Sequence, residues 1–324
     1  MKDVLISVLK VVGLYKSFRI PRSISHNFRP IPTLHDANIM KTVVDANIRN
    51  LKDDEKAVAA FISDINVRLA TFRNRHIPFL SHFAPLRNKS ILEIGCCSGS
   101  STIALAEQGA IVTGIDVDAD EILVAKQRLH DFGLTGQSFH NMNAIDIAGH
   151  FAPQSFDIII YFASLEHMTY SERQQTLKAA WTILKEGGLL CVFGTPNRLW
   201  HFDGHTSLLP FFLWLPDDLA FEYSRFSPRK EFNTLHQSSF EEKETEFFRW
   251  GRGFSYHEIE LALQPIAAFR QVEDMAGFLR RYSFIQKISY KRSDEYRYKK
   301  ILHDKAKHIH PGFFEQMLDI ILVK

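Results

Sequence analysis

Glu93, Gly95, Gly99 and Asp116 are the residues whose types and spacing point most directly to chemistry. The first three lie in the run Ile91-Leu92-Glu93-Ile94-Gly95-Cys96-Cys97-Ser98-Gly99-Ser100-Ser101, which opens with branched apolar residues, breaks at two glycines four positions apart, and resumes with helical character at Thr102. A strand, a glycine turn and a helix leave backbone N–H groups aimed at a ligand. Asp116 closes the next apolar run, Ile111-Val112-Thr113-Gly114-Ile115. In a βαβ unit both strands end on one sheet edge, so the two carboxylates face one crevice. Two histidines extend the chemistry. His167 follows the apolar run ending at Phe162, and imidazole titrates where a general base is useful. His201-x-Asp203-x-His205 would put three metal-ligand types on one side of an extended strand, yet no fourth ligand can be named and no metal centre is expected. His205, or Asp203, is expected instead as an acceptor-binding group or second base.

These residues carry a resemblance. Glu93-x-Gly95-x-Cys97-x-Gly99 resembles the acid-x-Gly-x-Gly-x-Gly loop of the class I S-adenosylmethionine (SAM)-dependent methyltransferases, with Cys97 in place of the middle glycine. A nicotinamide-dinucleotide turn would need glycine at 97 and glycine or alanine at 100, where Cys97 and Ser100 stand. Ala163-Ser164-Leu165-Glu166-His167 is similar to the Leu-Glu-His segment of the subgroup that methylates quinones and other small molecules. Lys185-x-Gly187-Gly188 and Thr195-Pro196-Asn197-Arg198 look like later segments of that subgroup. The resemblance implies SAM as cofactor, with Glu93, Gly95, Cys97 and Gly99 near its amino-acid end. It places Asp116 at the ribose hydroxyls and Asn143 at adenine, Asp146 being second choice, with Val117 and Ala144 also binding the cofactor. It implies methyl transfer to an oxygen or nitrogen of a small-molecule, sugar or lipid-linked acceptor, with His167 and His205 as candidate catalytic residues. RNA methylation and a non-catalytic SAM-binding scaffold are the alternatives. Against nucleic acid, the Asn/Asp-Pro-Pro-aromatic motif is absent, since Tyr161-Phe162-Ala163-Ser164 stands there, and no cysteine lies where a base-attacking nucleophile is expected.

The elements that must position these residues follow from periodicity. Regular alternation of apolar runs and helical stripes predicts an α/β fold with a mostly parallel sheet covered on both faces. The resemblance sharpens this to a Rossmann-like, seven-stranded sheet with an antiparallel last strand, supplied by Met317-Leu318-Asp319-Ile320-Ile321-Leu322-Val323. Asp118 with Glu121, and Ser171 with Gln174, are expected as capping boxes, and Ser255 as a helix cap. Four segments are expected: a helical N-terminal cap (1–74), a cofactor-binding core (75–198), an aromatic insertion (199–254) and a stretch completing the sheet (255–324), with a basic insertion before the last strand. Within 199–254, Trp200, Phe202, Phe211, Phe212 and Trp214 are expected as a substrate lid, a homodimer contact or an auxiliary core.

Composition bounds the rest. The chain has 324 residues, 45% hydrophobic and 23% charged, as in an ordinary globular protein. Its formal charge of +2 conceals two basic segments: residues 1–30 carry six basic side chains against one acid, and residues 286–309 eight against three. Both suit either an anionic membrane surface or solvated helix faces. The run from Val4 to Tyr15 is too short to span a bilayer and lacks a cleavage site, so a packed or membrane-surface helix is expected. Three cysteines without metal spacing indicate a reducing, cytoplasmic setting, peripheral at the membrane if the basic segments touch it.

Overall fold

The computed structural model describes residues 65–281 and 294–324. The Val4–Tyr15 run, the 1–30 basic segment and the helical stripe of Val58, Phe61 and Ile62 lie outside the described residues, as does the first part of the second basic segment.

The apolar runs become seven strands among the described residues: β1 (Ser90–Ile94), β2 (Ile111–Asp116), β3 (Ser138–Asn141), β4 (Phe156–Phe162), β5 (Leu184–Pro196), β6 (Gln271–Asp274) and β7 (Met317–Val323). They form one sheet in the order 3-2-1-4-5-7-6. β1 to β5 pair in parallel, whereas β7 runs antiparallel to both β5 and β6. This is the expected Rossmann-like methyltransferase sheet. Side chains alternate between its faces with period two: Leu92, Ile94, Ile159 and Tyr161 enter one core, while Ile91, Ile158 and Ile160 enter the other. Because both faces are covered, the strands read as unbroken apolar runs, and each buried aliphatic side chain contributes about 1.5–3 kcal/mol.

Helices cover the two faces, and their starts explain where the chain turns. Asp118 accepts the N–H groups of Asp120 (2.9 Å) and Glu121 (3.3 Å) at the start of Ala119–Asp131, capping through its own carboxylate. The helix Tyr170–Ile183 begins two residues before the expected place. Thr169 is extended and forms the capping box with Glu172, so Ser171 already lies inside the first turn. Ser255 caps Tyr256–Ala262 with Glu258, as expected. β5 starts at Leu184 rather than after Gly187-Gly188, because Leu184 already pairs with Phe156.

Residues 199–254 build a small core of their own. Leu209, Phe212, Leu213, Phe221, Phe232 and Phe247 pack together. Much of the aromatic richness builds this auxiliary core, while Phe202, Phe211 and Trp214 face outward. Arg252, fully buried, pairs with Asp217 at 2.9 Å and lies over the Phe212 and Phe247 rings. The adjoining Arg173 bonds the Glu258 carboxylate (3.0 Å) and the carbonyls of Arg252 and Gly253, which fixes this unit to the sheet. The described part of the second basic segment, helix Asp294–Lys305, packs on the body. Lys299 is buried and paired with Glu295 and Glu315, and Tyr298 donates to the Leu199 carbonyl at 2.6 Å. No helix among the described residues is long and apolar enough to cross a membrane.

Candidate active site

Strand order reverses between β1 and β4, and the turns after these two strands touch. Gly95 has φ +76, and a Cβ there would lie 2.7 Å from Cβ of Ser164. Gly99, at φ +75, approaches Ala125 so closely that a Cβ would fall 2.9 Å from the alanine methyl. Both glycines are therefore required, by conformation and by space. Cys97 adopts φ +43 between them, with its side chain exposed. From beneath, buried Arg128 bonds Ser98 and Ser100 and fixes the turn's floor.

Asp116 closes the crevice from β2. Its Oδ2 accepts the Cys97 N–H at 2.9 Å and its Oδ1 the Asp118 N–H at 3.0 Å. Val117 beside it is 70% exposed, an apolar surface held open to the crevice. Asn141 pins both residues by donating to the carbonyls of Asp116 (3.1 Å) and Val117 (2.9 Å). One turn further, Asn143 Oδ1 accepts the Ile145 N–H (3.2 Å) above buried Ala144. Asp116, Val117, Asn143 and Ala144 thus gather at the ends of adjacent strands, paired in register at Asp116 and Asn141. Gly95, Cys97 and Gly99 form the opposite wall.

Glu93 lies beneath the turn. It is fully buried, and its two oxygens accept the hydroxyls of Ser101 and Thr102, so it anchors the helix Ser100–Ala106 beneath the turn. Burial, against those two bonds, pushes its pKa up to about 7.

A pocket of about 530 Å³ opens beyond the end of β4, lined by His167, His205, Arg229, Arg249 and Trp250. His167 donates its Nδ1–H to the Arg249 carbonyl (2.8 Å), which leaves Nε2 as the lone-pair nitrogen. The Thr206 hydroxyl donates to the carbonyls of Trp250 and Gly251, both at 2.9 Å, and therefore accepts Nδ1–H of His205 at 3.0 Å. His205 thus holds the same tautomer. The rings lie 5.4 Å apart. Burial lowers both pKa values, that of His205 to about 4, so both rings are neutral at pH 7.

The His201–Asp203–His205 alternation does not form. Asp203 is buried, and its carboxylate accepts the N–H groups of His205 (3.0 Å), Thr206 (3.0 Å) and Ser207 (2.7 Å), turning the chain. His201 packs against Trp200 and Tyr298 instead. Only His205 of that run reaches the pocket.

Two residues without a sequence-level assignment also belong to the site. Glu166 lies fully buried beside His167, its Oε1 4.0 Å from Nε2. Arg68, on helical residues 65–71, acts electrostatically on Cys97 and Glu121 on one side and on Glu166, His167 and His205 on the other. Arg68 sits in an ordinary amphipathic pattern that conceals this, whereas Glu166 was marked only by its place before His167.

Residues 92–192 match a family model described as a methyltransferase domain. The ubiquinone biosynthesis O-methyltransferase of Idiomarina loihiensis is 35% identical over 118 residues, covering 36% of this chain and 46% of that protein. The enzyme of the same description from Hydrogenovibrio crunogenus is 34% identical, covering 38% and 48%. A solved SAM-dependent methyltransferase of Methanosarcina mazei is 30% identical over 36% of this chain and 56% of its own, with a TM-score of 0.33. The chain spans about half the length of the curated relatives it matches.

Proposed function

We propose that this chain, whose residues 92–192 match a methyltransferase domain, is a class I SAM-dependent enzyme that transfers a methyl group from SAM to an oxygen or nitrogen of a small-molecule, sugar or lipid-linked acceptor. The observation that carries this is the shared sheet edge. The Cys97–Asp116 crevice and the neutral imidazole of His167 lie at the ends of neighbouring strands.

The residues present fit the cofactor. Asp116 offers carboxylate oxygen to ribose hydroxyls, strongly so in a partly dry crevice. Val117 gives adenine an apolar face, and Asn143 with Ala144 meets its edge. The Gly95–Gly99 turn supplies a close backbone approach that a Cβ would block. Glu93 holds this turn from below. When bound, SAM supplies an electrophilic methyl on a sulfonium.

His167 Nε2, bare in the tautomer that Arg249 imposes, takes the proton of an acceptor hydroxyl lying in the pocket. His205 orients the acceptor or serves as a second base. The auxiliary core of 199–254 carries His205, Arg229 and Trp250 to the pocket and thereby shapes acceptor choice. Tyr298, whose hydroxyl is spent on Leu199 and whose ring packs on Trp200, argues against RNA stacking on the basic helix.

Calorimetry with SAM, followed by transfer of labelled methyl groups to small-molecule acceptors, tests this assignment. Binding with turnover that His167→Ala abolishes supports it. Absence of SAM binding refutes it, and binding without turnover on any acceptor favours a scaffold.

A further inference from the structure

Glu166 is an anomaly. It is wholly buried, yet neither carboxylate oxygen receives a hydrogen bond. The Thr195 hydroxyl beside it donates to the Phe193 carbonyl at 3.4 Å. Arg173 bonds the Glu166 carbonyl (3.1 Å), not its carboxylate, and spends its other donors on Met168, Arg252, Gly253 and Glu258. A buried carboxylate without a direct hydrogen-bond donor is costly, even with the guanidinium charges of Arg173 and Arg68 acting on it.

What faces it is a pair of metal-ligand side chains. One ligating atom from each of Glu166, His167 and His205 lies within 4.8 Å of the other two. Both rings have their Nδ1–H fixed by a second group, the Arg249 carbonyl and the Thr206 hydroxyl, which presents Nε2 as the donor nitrogen. Metal-binding histidines are held in this way. Two neutral imidazoles and one carboxylate form the donor set of a divalent transition metal with positions left open.

We propose that Glu166, His167 and His205 bind a divalent transition-metal cation of the zinc type, whose open positions face the pocket. Bonds of about 2.0–2.2 Å set ligand atoms roughly 3–3.5 Å apart, so the three close in by about an ångström, through the half-buried His205. This departs from the expectation of no metal centre, which weighed only the His201–His205 run. The binding stands apart from methyl transfer. Its consequence rests on the proposed function: a cation here holds the acceptor oxygen and acidifies it, replacing the proton acceptance assigned to His167 Nε2. The competing account is a Glu166 kept protonated, since burial, against the opposing charge of Arg173, pushes its pKa up to about 7.

The full chain, stripped with a chelator, is titrated with zinc chloride by calorimetry and with cobalt chloride by visible absorption. One equivalent is expected, with cobalt ligand-field bands, and affinity falls at least about tenfold in Glu166→Gln and His205→Ala. Glu166→Gln also serves as the fold control, because the amide fills the same space without a charge to bury. SAM binding by the stripped protein is measured in parallel. Stoichiometric metal without SAM binding removes the methyltransferase assignment and keeps the site, and the converse removes the site alone. A cooperatively melting protein that takes up no cation, or variants that bind it as tightly as the parent, overturns the proposal.

Discussion

Cys97 gives its backbone N–H to Oδ2 of Asp116 across 2.9 Å, so the end of β2 and the turn after β1 form one unit. The aspartate therefore shapes the turn and, in the proposed assignment, also meets the ribose. Asp116→Ala is expected to weaken SAM binding by about 1–3 kcal/mol through lost charged hydrogen bonds. Calorimetry on a variant with an unchanged melting transition checks this, and unaltered affinity would count against the crevice.

Gly95 admits no side chain. At φ +76, with Ser164 Cβ 2.7 Å from an added methyl, Gly95→Ala combines backbone strain with a clash between the turns after β1 and β4. A loss of about 1–3 kcal/mol in stability is expected from the strain alone. Gly95→Ala combined with Ser164→Gly should recover part of it, measured by denaturant unfolding.

His167 is held neutral by burial, its pKa lowered from the ordinary 6.5. The acid limb of the rate profile is therefore expected below pH 6.5, because the base is lost only once the ring protonates. His167→Ala should reduce turnover by about 10²–10⁴ and leave SAM affinity unchanged. A limb at higher pH, or full activity in the variant, would remove the histidine from the reaction.

Glu93 couples stability to pH. Its folded pKa of about 7 exceeds the ordinary 4.5, so the folded state holds an extra proton between those values. Its contribution is fully present below pH 4.5 and is lost as pH rises through about 7. Glu93→Gln, which has no charge to bury, is expected to flatten the decline between pH 4.5 and 7 in thermal melts.

Much of this architecture was legible in the sequence. The strands announce themselves as apolar runs because both sheet faces are buried, and Gly95, Gly99 and Asp116 mark the crevice by residue type alone. Other features depend on three-dimensional neighbours. Thr169 rather than Ser171 caps its helix because Thr169 is the extended residue, two positions before the place the polar residues suggest. Glu93 carries the motif's acid, yet Ser101 and Thr102 capture it from the following helix. Asp203, an apparent ligand, is consumed by three local N–H groups. Glu166 joins the site only through the turn after β4, which sets it beside His167. The aromatic stretch after Trp200 showed mass without periodicity, which suited a lid and an auxiliary core equally, and the Phe247-centred cluster forms the latter.

The central claim is that the Gly95–Gly99 turn and Asp116 enclose an adenosyl cofactor. The most direct measurement is a crystal structure of the protein soaked with SAM's demethylated product, S-adenosylhomocysteine. Electron density is expected with ribose hydroxyls on the Asp116 carboxylate and adenine against Val117. Density for that molecule elsewhere in the fold, or a Cys97 side chain filling the space, would contradict it.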